Sequence, residues 1–126
     1  MFAGYTDAAG DAEFGHWDYG TPSPMQASAE YAEMYGTILY AVRLGDGTIK
    51  IGVTGHLHLR LTQLRSLTQS EPEVLAVRNG TIEDERALHA SLTEHLDHGR
   101  EWYRPDPEVL AIVNEWRSAL HMEPVA

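Results

Sequence analysis

Thr37-Ile38-Leu39-Tyr40-Ala41-Val42-Arg43 and Thr48-Ile49-Lys50-Ile51-Gly52-Val53, separated by Gly45-Asp46-Gly47, decide the fold. Both runs are rich in β-branched and aromatic residues, and Asp-Gly between such runs is hairpin chemistry. The pair predicts an antiparallel hairpin. Forward of it, Leu57, Leu61 and Leu64 recur at i, i+4 and i+7, the stripe of a helix buried along one face, and Pro72 bars its continuation. Glu73-Val74-Leu75-Ala76-Val77-Arg78 reads as a third strand, ended by Asn79-Gly80. Thr81, with an acid at Asp84, then opens a second helix whose face is Leu88, Leu92 and Leu96 and which Gly99 stops. Trp102-Tyr103 is a short extended piece. Asp106 caps a last helix with Pro107 in its first turn and Val109, Ile112, Val113, Trp116 and Leu120 on its inner face. The expected architecture is α+β, in the order ββαβαα, with a small three-stranded antiparallel sheet flanked by helices.

Behind the hairpin the pattern changes. Residues 1–36 hold five Gly, two Pro and seven of the eleven aromatics, with no sustained period before about residue 25. They read as an acidic, aromatic-rich arm ahead of a domain over residues 37–126, with a short helix from Ala27 to Tyr35 ended by Gly36. Solvated linkers are poor in aromatics, so the arm is expected to dock, on its own domain or on a partner.

The chain of 126 residues fits one domain, and without cysteine it has no disulfide framework, thiol nucleophile or thiolate metal site. It begins without a basic and apolar leader and offers no run of about 18 apolar residues, so a cytoplasmic protein with no membrane partner is expected. The net charge of −10 argues against undirected binding to phosphate backbones. The charge is uneven, however. Residues 1–36 carry six acids and no Lys or Arg, residues 79–126 carry ten acids and four arginines, and residues 37–78 carry five basic residues against three acids. Any nucleic-acid contact must therefore be local and near that middle stretch.

Five short motifs fall in order along this middle and the following helix. Ile38-Leu39-Tyr40 is followed by Lys50-Ile51-Gly52, by Arg60 eight residues past the glycine, by Glu85-Arg86-Ala87-Leu88-His89 and by Glu101-Trp102-Tyr103. Together they resemble the GIY-YIG nuclease superfamily, and most closely the branch, common in phage and bacterial proteins, whose second motif reads Lys-Ile-Gly. The resemblance spans about residues 37–104. It departs from the superfamily pattern where Ile38 stands for the first glycine and Lys50 for the second tyrosine, a replacement usual in that branch. An asparagine found late in some members has no clear counterpart, and Asn114 is left unassigned.

The resemblance implies a metal-dependent DNA endonuclease that hydrolyses phosphodiester bonds with one Mg²⁺ or Mn²⁺. A hydrolase of this kind must activate water and neutralise charge on the phosphoryl and leaving oxygens. Glu85 supplies a hard carboxylate for the metal, and Arg60, one turn into its helix, a planar fork for phosphate. Tyr40 would activate or orient the attacking water, and as a base it would need positive charge nearby, because a free tyrosine titrates near pH 10. Lys50 can bring that charge. His89 follows Glu85 at i+4 on the same face and is included in the catalytic set. Gly52 lets the backbone approach the substrate, and Arg65 is an auxiliary substrate contact. Cutting both strands of a duplex takes two events, which would suit a homodimer.

Two other readings compete. A catalytically silent module of the same architecture would bind nucleic acid or protein, which the acidic balance favours. A zinc hydrolase built on His56, His58, His95 and His98 would need a ligand spacing that these pairs lack. One further expectation concerns the arm, whose acids could lie over Arg60, Lys50 and Arg65 as a phosphate mimic.

Overall fold

Strand β1 (Ile38–Arg43) is apolar at nearly every position because it has a strand on each side and a helical layer on each face. These relations come from a computed structural model that describes residues 23–126. The arm expected to cover the basic residues lies, over residues 1–22, outside the described residues. β1 pairs antiparallel with β2 (Ile49–Thr54) through the expected hairpin, in a register that sets Tyr40 opposite Gly52 and Val42 opposite Lys50. The turn holds because Gly47 takes a φ of 90°, open to glycine, and Asp46 Oδ1 accepts from the Thr48 amide at 2.9 Å. β3 (Glu73–Asn79) pairs antiparallel with the other edge of β1, with a register shift between Ala41 and Val42.

Alternation along β1 divides the core. Leu39 and Ala41 point to one face with Ile49, Ile51, Leu75, Val109 and Val113. Ile38, Tyr40 and Val42 point to the other with Leu57, Leu61, Leu64, Val77 and Ala27. Helix α2 (Leu57–Thr68) buries its leucine stripe on the second face, as the spacing predicts. Helix α1 (Pro24–Tyr35) also packs on β1 and β3. It starts earlier than the sequence pattern suggests because Ser23 and Gln26 form a reciprocal capping box, with Pro24 at the first helical position. Gly36, at φ 86°, ends it. Helix α4 (Pro107–Ala119) buries Val109, Val113 and Trp116 on the first face.

The expected three-stranded sheet is corrected here. Among the described residues the sheet has five strands in the order β3-β1-β2-β5-β4, all neighbours antiparallel, with β4 at Leu96–His98 and β5 at Trp102–Tyr103. The helix expected to run to Gly99 is also shorter. Helix α3 (Ile82–Ser91) stops with Leu92 as its C-cap, and a 3₁₀ turn over Thr93–His95 leads into β4. A contact remote in sequence causes the break, because the Arg104 guanidinium donates to the Glu94 and Leu96 carbonyls at 2.6 and 2.7 Å. Gly99 (φ 63°) then reverses the chain, so that Trp102 meets Lys50 and Tyr103 meets Ile49 on the free edge of β2. Among the described residues, no helix is long and apolar enough to cross a membrane.

Candidate functional site

β5 is only two residues long, and its short reach creates the site. It covers Ile49 and Lys50, and the Glu101 carbonyl takes the Ile51 amide at 3.2 Å. Among the described residues the edge of β2 from Gly52 onward has no strand partner, and α3 packs there. Glu85 is placed at this edge in the first turn of α3, whose start is fixed by a capping box in which Thr81 Oγ1 accepts from the Asp84 amide at 3.3 Å. One turn on, His89 faces the same way, with Nε2 3.7 Å from Glu85 Oε2.

Tyr40 reaches this edge across Gly52. A Cβ at position 52 would stand 2.5 Å from Tyr40 Oη and 2.7 Å from Cζ, so the absent side chain is what lets the phenol lie over β2. The ring is 1% exposed. Burial pushes the Tyr40 hydroxyl well above the ordinary tyrosine range; Arg60 pulls it down, while Glu101 and Glu85 push it further up. The same three charges show what surrounds the hydroxyl. With these charges alone around it, the Tyr40 hydroxyl keeps its proton at neutral pH. Tyr103 is likewise pushed up to about 12, first by burial and then by Glu101 and Glu85.

Lys50 is buried, forms an ion pair with Glu101, and lies 5.2 Å from the centre of the Trp102 ring. Its charge is thus engaged by a carboxylate that the sequence reading quoted in a motif but gave no role. Among the described residues no ion pair engages the Arg60 guanidinium. Arg65 is not brought into this group. Its fork grips Glu71 at 2.6 and 2.7 Å, because the turn before Pro72 returns the chain to the end of α2.

Glu85, His89 and Glu101 each offer a ligand atom, all within 4.8 Å of one another. They lie in a groove of ≈ 460 Å³ that Arg86 and Arg100 also line. His89 Nδ1 is hydrogen-bonded to the Tyr103 hydroxyl, and its Nε2 is buried without a hydrogen-bond partner among the described residues. A cation would supply the interaction that this nitrogen lacks, so the residues present fit a divalent metal. The four-histidine zinc reading does not survive. Among the described residues the converging ligand group contains none of the four; His95 pairs with Asp106 at 2.9 Å and His98 with Asp97 at 2.7 Å. Asn114 holds the C-terminal segment through the Val125 amide and carbonyl, at 2.8 and 2.9 Å.

The raised tyrosines set a pH dependence for folding. Their folded pKa values lie above the unfolded value near 10, so the stability they contribute is complete below about pH 10 and is lost as pH rises toward the folded values. Urea midpoints are expected to hold from pH 8 to 9.5 and to fall above 10, and to fall less in Tyr40→Phe. A flat wild-type profile to pH 11.5 would contradict it.

No curated protein and no solved structure matches the chain. A family model, that of the T5orf172 domain, matches residues 35–119, which run from the end of α1 through α4 and contain every residue of the site. The chain belongs to the T5orf172 domain family, whose domain is found in phage proteins.

Proposed function

We propose that the protein is a cation-dependent endonuclease of the GIY-YIG kind, hydrolysing DNA phosphodiesters beside the Gly52 edge of β2. One observation carries this reading: a buried tyrosine hydroxyl lies over Gly52 in the combined field of Arg60, Glu85 and Glu101. A hydrolytic phosphate site needs these components, a neutral polar group to place water, a cationic fork for phosphoryl oxygens and carboxylates for a metal.

In this reading Arg60 grips the non-bridging oxygens of the scissile phosphate. Tyr40, protonated, holds the attacking water in line by hydrogen bonding. Lys50, its charge engaged by Glu101, orients that carboxylate beside the site. Arg86 and Arg100 flank the groove and offer contacts to neighbouring phosphates, which reconciles DNA binding with a net charge of −10. A divalent cation held by Glu85 would offset charge developing on the phosphoryl and leaving oxygens. Membership of the T5orf172 family supports a nuclease-like or DNA-binding role for the chain.

The test is nicking of supercoiled plasmid by the full chain in Mg²⁺ or Mn²⁺, with and without chelator. Nicking should require the cation, and Arg60→Ala, made and purified identically, should be about 100-fold slower, the loss usual for one positioned phosphate or oxyanion donor. Equal rates would place the cleavage elsewhere. No cleavage in either cation, with DNA binding retained, would instead make the chain a silent binding module.

A further inference from the structure

The donor set at the β2 edge contains more than a single carboxylate needs. The Glu85 side chain is 9% exposed, and no hydrogen bond satisfies its carboxylate among the described residues. His89 Nε2, in a buried position, points toward it at 3.7 Å. Glu101 arrives from a different element, anchored by Lys50. Two donors about 2.1 Å from one ion stand roughly 3–4.2 Å apart, so small side-chain rotations would bring these three atoms into one coordination sphere.

We propose that Glu85, His89 and Glu101 form a three-ligand centre that takes a first-row divalent transition ion in preference to Mg²⁺, with Tyr103 as the positioning residue for the imidazole. The proposal rests on the cation-dependent reading above and deepens it. Mg²⁺ is a hard ion that keeps its waters and uses one or two carboxylates, whereas an imidazole nitrogen favours transition ions. The second contact of a ligating histidine fixes its ring and tautomer. Here the Tyr103 hydroxyl occupies Nδ1 and the two rings stack at 5.5 Å, which leaves Nε2 as the free donor. The i, i+4 placement on α3 puts His89 and Glu85 on one face, and the turn into β5 closes the group with Glu101.

The centre is tested on the full chain without nucleic acid, using Mn²⁺ and Mg²⁺ alone as probes. Calorimetry should show one Mn²⁺ per chain, bound at least 10-fold more tightly than Mg²⁺. The electron spin-echo spectrum of bound Mn²⁺ should carry nitrogen modulation from His89. His89→Gln should remove that modulation and weaken Mn²⁺ by 10-fold or more, while Mg²⁺ changes little. Tyr103→Phe should keep the modulation and weaken Mn²⁺ about 10-fold, as loss of an outer-shell partner does. Absence of nitrogen modulation in the wild type, which needs no variant to fold, would overturn the proposal, as would equal Mn²⁺ affinity in His89→Gln. If cation-dependent nicking persisted in that case, the three-ligand centre alone would fall; absence of both binding and nicking would remove the nuclease reading as well.

Discussion

Glu85→Gln should abolish cation-dependent nicking, by about 10³-fold or more, and leave the protein as stable as the wild type. The first effect follows from the several kcal/mol of transition-state charge stabilisation that a bound cation supplies, at 1.36 kcal/mol for each factor of ten. Glutamine keeps the size and a carbonyl oxygen but loses the charge that would hold the ion. The second effect follows from burial. Glu85 lies almost wholly inside the protein with no hydrogen bond to its carboxylate among the described residues, and one of its ligand atoms lies within 4.8 Å of Glu101. In the absence of a metal, two carboxylates so close repel, and the buried one is poorly solvated. His89 Nε2, 3.7 Å away, works against that cost, so replacing the carboxylate with an amide of the same size should leave the urea midpoint in metal-free buffer at pH 8 close to that of the wild type. Loss of nicking together with a large loss of stability would make Glu85 a structural residue. Retained nicking would mean that the cation is held elsewhere.

The elements that place Glu85 and its neighbours differ in how far the sequence discloses them. The run from Ile38 to Val42 reads as a hairpin strand from its β-branched and aromatic residues, and its lack of alternation fits the place the structure gives it, paired on both edges and covered on both faces. The leucines of α2 show their period because only one face of that helix is buried. Residues 92–103 are harder to read. Leu88, Leu92 and Leu96 keep a helical spacing, yet Leu96 lies in a strand, because the chain bends at Leu92 and the carbonyls of the bend are satisfied by Arg104. Strands of two and three residues carry no period, and β4 and β5 exist only because β2 has a free edge.

The site divides along the same line. Tyr40, Lys50, Arg60, Glu85 and His89 are marked by the spacing of motifs along β1, β2, α2 and α3, all regular elements. Glu101 stands in a quoted motif, but its position beside His89 and Lys50 depends on β5 pairing with β2, a tertiary event with no local signature. The acid at Glu71, six residues past Arg65, was the available sign that Arg65 is engaged on the surface. Arg86, directly after Glu85, and Arg100, directly before Glu101, could have been found as the two arginines that adjoin the acids of the last two motifs.

Gly52→Ala should cost about 1–3 kcal/mol of stability and, with it, most of the cleavage. A methyl at this strand position would ordinarily be harmless or slightly stabilising, since alanine restricts the unfolded chain by about 0.4–1 kcal/mol more than glycine. Here the new Cβ would meet the far end of the Tyr40 ring at 2.5–2.9 Å. The ring is rigid and enclosed by Ile38, Val42 and the leucines of α2, so it cannot yield without moving its neighbours. Displacing it takes the hydroxyl away from Arg60 and Glu85, which should lower nicking by about 100-fold, comparable to loss of one positioned polar group. The cause can be isolated with a double-mutant cycle read by urea unfolding. In a Tyr40→Leu background, whose shorter side chain does not extend over position 52, Gly52→Ala should become neutral or stabilising, giving a coupling of at least about 1 kcal/mol. Tyr40→Phe would not serve, because Cζ and Cε2 already lie within 3 Å of the added methyl. An equal penalty in both backgrounds would show that position 52 needs glycine for its backbone. The close approach of the phenol would then not be the reason that Tyr40 and Lys50-Ile51-Gly52 stand opposite each other in the hairpin.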